Sequence, residues 1–222
     1  MRVLAALIWK DLLIEARTRE LVTSMSLVAF LALVIMSLAL GPSSRLASAA
    51  APAVLWVTVS FAATLGLARA HALEQEGHAL QGLLMTPVSR SVLYLGKCGA
   101  NLAVVLMLQL VVVGATAVLF NADVGRHFVG LLLPLALGAV GFTAVGTLLG
   151  AMTTATRLRE VLLPILLLPV ALPVIILSLA GITAVLDGQG WTSLLRSLKL
   201  LGAVDIIFLM LGVWLFAYVV EE

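Results

Sequence analysis

Six apolar stretches recur along this chain, near 21–41, 52–70, 98–120, 128–152, 161–186 and 201–220. Each is close to the roughly 20 residues that carry an α-helix across a hydrocarbon core. Inside lipid every backbone N–H and C=O must find its partner within the protein, which leaves helices as the economical way to span. The fold predicted is therefore an all-α integral membrane bundle, one transmembrane domain over residues 1–222. Composition agrees: 11% of residues are charged, against about a quarter in a soluble domain. The net charge of +2 is thinly spread, with no basic block that would suit nucleic acid. A single cysteine, Cys98, excludes an internal disulfide and a cysteine metal cluster, and reads as a small packing residue. No cleavable signal is expected, because charges interleave through the first twenty residues and the apolar run behind them is too long for a signal core.

Six spans put both termini on one side, and the loops then divide the basic residues unevenly. One side holds Arg2, Lys10, Arg17, Arg19, Arg69, Arg90, Lys97, Arg157 and Arg159, and the other holds Arg45, Arg126, Arg196 and Lys199. Nine against four predicts that both ends are cytoplasmic. Residues 1–20 set Val3, Leu4, Leu7, Ile8, Leu12 and Ile14 against Arg2, Lys10, Asp11, Glu15, Arg17 and Arg19, with Trp9 as an anchor. That pattern reads as a helix on the inner leaflet, or else as a cytoplasmic extension of the first span. The outer loops, 42–51, 121–127 and 187–200, are too short to form a domain.

The substantial soluble segment is the inner one, 71–97. Between Ala72 and Leu84, apolar Leu73, Leu80, Leu83 and Leu84 alternate with Glu74, Gln75, Glu76, His78 and Gln81. The spacing predicts a short helix with one greasy stripe and one acidic face. Pro87 ends it, and Arg90 and Lys97 follow where they can meet lipid phosphates or a partner's carboxylates. Two readings fit these residues: a coupling helix that docks into a soluble ATPase, built from Glu74, Glu76, Gly77, Leu80, Leu83, Leu84, Pro87 and Arg90, or an amphipathic loop resting on the membrane.

Within the spans, Asp205 is the residue that costs most in lipid, and so is a functional candidate by default. Its neighbours Arg196 and Lys199 offer the plainer reading of a structural ion pair near the outer interface. Pro164, Pro169 and Pro173 interrupt the fifth span, and Pro169 and Pro173 join Asp205 as candidate gating positions. Gly138, Gly141, Gly146 and Gly150 in the fourth span permit either close packing or movement, with packing the better reading. Trp9, Trp56, Trp191 and Trp214 read mainly as interfacial belt anchors. His71, His78 and His127 read as interfacial histidines; His127 is the one placed to meet cargo outside.

The run Pro52-Ala-Val-Leu-Trp56-Val, then Arg69, Glu74-Gln-Glu76-Gly77, Leu83-Leu-Met-Thr-Pro87-Val, Arg90-Ser and Tyr94-Leu-Gly-Lys97 resembles the haem exporter protein B family of cytochrome c maturation. Leu166-Leu-Leu-Pro-Val-Ala-Leu-Pro173 supports it; His71, His78 and Gln81 depart from the family pattern and soften the acidic face. The resemblance implies an ABC-2-type permease in the bacterial inner (cytoplasmic) membrane. It also implies a cytoplasmic ABC ATPase subunit, a haem-handling membrane subunit, a small membrane subunit and a periplasmic haem chaperone as partners. Haem would be the cargo of the complex rather than a cofactor of this chain, and the function either haem export or ATP-driven release of the loaded chaperone. The chain has no GxxxxGK[ST] loop, so ATP is expected on the partner and this subunit is expected to be no enzyme. The alternatives are an ABC-2 exporter subunit for another lipid, drug or glycan, or a membrane scaffold that passes no substrate.

Overall fold

In a computed structural model, which describes residues 2–41, 45–76, 88–120, 124–153 and 159–219, each apolar run is one helix. The order is α1 (Arg2–Thr18), α2 (Glu20–Leu40), α3 (Arg45–Glu76), α4 (Arg90–Leu119), α5 (Val124–Thr153), α6 (Arg159–Leu186) and α7 (Trp191–Val219). Helices α2 to α7 are the six that are long and apolar enough to cross a membrane, and no strand occurs among the described residues.

Several helices outrun their predicted spans. With 32 residues, α3 is roughly 48 Å long at 1.5 Å per residue, against about 30 Å of hydrocarbon. It continues to Glu76, and α4 already begins at Arg90, so the 71–97 segment is helical at both ends. At the opposite side α7 begins at Trp191, which leaves little of the expected 187–200 loop.

Helix α5 is the centre of the bundle and packs against α3, α4, α6 and α7. Its small residues explain why. Gly146 lies against Leu67 and Gly150 against the His71 ring, so α3 seats directly on the α5 backbone. Lipid is as apolar as leucine, so helices here associate by close fit and hydrogen bonding rather than by expelling water. The buried stripe of α6 follows helical spacing through Leu163, Leu167, Ala171, Val174, Ser178 and Ile182.

Helix α1 packs on the start of α4, with Leu7 over Gly96 and Ile8 over Gly99. Its other side exposes Val3, Trp9 and Ile14, apolar surface suited to lipid. The turn into α2 is made at Arg19, whose φ of 54° is left-handed. The Glu15 carboxylate crosses this elbow and accepts a hydrogen bond from the Val22 N–H at 2.8 Å, satisfying an orphan donor of α2. The two residues should therefore respond in opposite directions. Arg19→Gly should stabilise by about 1 kcal/mol by removing the left-handed penalty, whereas Glu15→Ala should cost about 1 kcal/mol as a lost cap. Unfolding in mixed detergent micelles reads both signs.

Candidate functional site

The site grows from two glycines one turn apart on α5. A side chain at Gly138 would strike the Trp56 indole and, 2.7 Å away, the Ser178 hydroxyl. At Gly141 it would strike the Asp205 carboxylate and, 2.8 Å away, Val174. Three helices therefore converge on this face of α5: Trp56 comes from α3, Val174 and Ser178 from α6, and Asp205 from α7.

Trp56 is 1% exposed. Its indole N–H donates to Ser178 Oγ at 3.0 Å, and the Ser178 hydroxyl donates onward to the Pro134 carbonyl at 2.6 Å. This chain of bonds ties α3 to α6 and α6 to α5. The structure thus corrects the belt reading for Trp56, while Trp9, Trp191 and Trp214 are exposed as anchors should be. The reason is tertiary: its hydroxyl partner lies 122 residues away on another helix, and the residues around Trp56 carry no sign of it.

Asp205 is 3% exposed, and among the described residues neither carboxylate oxygen makes a hydrogen bond. The expected ion pair with Arg196 or Lys199 does not form, since both basic side chains are exposed on α7. The mismatch is one of helical phase: Asp205 points into the bundle, against Gly141 of α5 with Val174 of α6 beside it, and the basic side chains are exposed on the other side of α7. Of the other gating candidates, Pro169 and Pro173 lie on the exposed face of α6, opposite its buried stripe, and the helix is continuous through both.

A second junction lies on α4. Tyr94 donates to the Ala144 carbonyl at 2.9 Å, stacks at a tilt on Phe216 with 5.5 Å between ring centres, and fills the space beside Gly212. Asn101 Nδ2 donates to Thr147 Oγ1 at 2.9 Å. Cys98 is buried nearby with Thr143 as its neighbour, in keeping with a packing role. Lys97, expected to face phosphates or a partner, is instead 7% exposed. It shares the inward side of α4 with Leu93 and Tyr94, a phase that the loop reading of 71–97 could not supply.

The coupling residues fall mostly elsewhere. Glu74 and Glu76 lie in the last turn of α3, and Arg90 is the half-buried first residue of α4 behind the N-cap Ser89. Gly77, His78, Leu80, Gln81, Leu83, Leu84 and Pro87 lie outside the described residues. His71 sits half-buried on Gly150, with Nδ1 2.8 Å from the Leu67 carbonyl, and His127 is half-buried at the far end of α5. Among the described residues no three His, Cys, Asp or Glu side chains gather where they could hold a metal ion. Two small cavities, one lined by Ala51, Leu55, Thr116 and Ile182 and one by Met25, Gly66 and Asn101, are each about 10 Å³, room for about one water molecule.

The bundle has six helices long and apolar enough to cross a membrane, and the family model described as CcmB protein matches residues 2–222. The chain belongs to the CcmB family. No curated protein matches it. Membership agrees with the resemblance carried by residues 52–97, and makes the chain a multi-pass inner-membrane subunit of the ABC-type haem exporter of cytochrome c maturation. The family is one of ABC-2-type permeases, which fits the six spans and a non-catalytic role.

Proposed function

We propose that this chain converts closure of a cytoplasmic ATPase into movement of the membrane bundle, and that this movement drives release of the haem-loaded chaperone on the far side. The observation that carries the reading is the continuity of α3. One helix runs from Arg45 to Glu76, and its buried side meets the α5 backbone at Gly138, Gly146 and Gly150. A push or pull applied beyond Glu76 would therefore reach the Trp56–Ser178–Pro134 chain without an intervening hinge. The basic residues of the loops support a cytoplasmic location for both termini and for the 77–89 segment, where the ATPase would dock. Haem would be handled by the accompanying membrane subunits and delivered to the chaperone.

The reading predicts that charge reversal at Glu76 combined with Arg90→Glu leaves the complex assembled but uncouples it. ATP hydrolysis should continue while haem-loaded chaperone accumulates on the membrane and c-type cytochromes fall. Normal maturation with an intact complex would overturn the proposal. ATP-dependent build-up of haem inside sealed inverted vesicles, with chaperone release unaffected, would replace it with export by this subunit.

A further inference from the structure

We propose that Asp205 is a proton-binding site in the membrane: it holds a proton while α7 is seated on α5, and exchanges it with water when the two helices part. The first support is the geometry of the pocket. The carboxyl lies against the bare backbone at Gly141 with Val174 beside it, buried to 3% exposure and without a hydrogen bond among the described residues. An ionised carboxylate in such a place loses its hydration and receives nothing in return, a penalty that only a bound cation or proton removes. The glycine explains how the site is built, because any side chain at 141 would occupy the space that the carboxyl uses.

The second support is the surrounding charge. Three helices pack on α7, namely α4, α5 and α6. The stretches of α5 and α6 that face Asp205, residues 138–145 and 167–181, contain no titratable side chain. On α4 the titratable groups are Arg90, Tyr94, Lys97 and Cys98. Of these Tyr94 meets α7 at Gly212, seven residues and roughly 10 Å along the helix from Asp205. Tyr94 O–H donates a hydrogen bond to the Ala144 carbonyl, and Cys98 neighbours Thr143. On α7 itself, Arg196 and Lys199 are exposed. Among the described residues no cation pairs with the carboxyl, so a proton taken from water is the counter-charge available to it. Binding converts COO⁻ to COOH, and the same proton returns to water when the pocket opens.

Two measurements separate the site from the proposed function. In the infrared spectrum of the full chain in lipid vesicles at about neutral pH, a protonated-carboxyl C=O band should be present, and Asp205→Asn should remove it. Should that variant fail to fold, carbon-13 labelling of aspartate in the unmodified chain must shift the band. Asp205 is one of four aspartates, and the others (Asp11, Asp123 and Asp187) lie outside the six apolar runs. Absence of the band, or a band that neither change affects, would show an ionised Asp205 and overturn the proposal. The exchange half rests on ATP-driven movement of the spans. In the assembled complex, a hydrophobic carbodiimide, which adds only to the protonated acid and forms an acylurea, should modify Asp205 faster during ATP turnover than at rest. A band that passes the first test with labelling unchanged by ATP would retain the proton site and remove its link to turnover.

Discussion

Trp56→Ala is expected to be the most damaging single substitution in this bundle, lowering stability by about 3–5 kcal/mol. Lipid weakens the usual solvent argument, but the cavity argument survives it, because a hole left between helices loses its contacts whatever surrounds the protein. The indole is fully enclosed and presses on Gly138, which has no side chain of its own to fill the space. Its removal also leaves Ser178 without a donor, although the Ser178 hydroxyl keeps its own acceptor at Pro134. Trp56→Phe isolates the hydrogen bond: it should cost about 1 kcal/mol from the lost bond, with a further loss from the smaller ring. Unfolding by graded replacement of mild detergent with dodecyl sulfate gives the order, alanine far below phenylalanine. An alanine variant within 1 kcal/mol of the unmodified chain, on the scale of that single bond, would mean that the α3–α5 junction does not organise the bundle.

The second large effect is at Gly141. Alanine there should cost about 1–3 kcal/mol, the range of overpacked cores, because its methyl group would meet both the Asp205 carboxylate and Val174. Asp205→Ala alone should be nearly neutral for stability, since the carboxyl makes no hydrogen bond that would be broken. The double variant should recover much of the loss, giving a coupling energy of about 1 kcal/mol or more between the two positions. Simple additivity would show that α7 does not press on α5 at this level. The same pair tests function separately: Asp205→Ala should keep the complex assembled while altering the response to ATP.

The division between what was legible and what was not follows the range of the forces involved. Hydropathy reports how each segment meets its solvent, residue by residue, so the six spans, the amphipathic start and the absence of a phosphate loop were all readable. Helix ends were less so. Ser89 and Arg90 open α4 seven residues before Lys97, because a helix in an interface costs little to extend and nothing local marks where it must stop. Lys97 consequently turned inward instead of outward.

The site depended on phase. That Asp205 was costly could be read from its place in an apolar run; that it would miss Arg196 and Lys199 and face Gly141 could not. The same holds for Trp56, whose surroundings in sequence match those of an interfacial anchor. Sequence alone determined that this chain spans a membrane six times and, through residues 52–97, the family to which it belongs. Only the tertiary structure decided that Trp56, Ser178 and Asp205 share one face of α5. Solvation acts on each residue separately, whereas contact between helices depends on rotations about their axes that no single segment specifies.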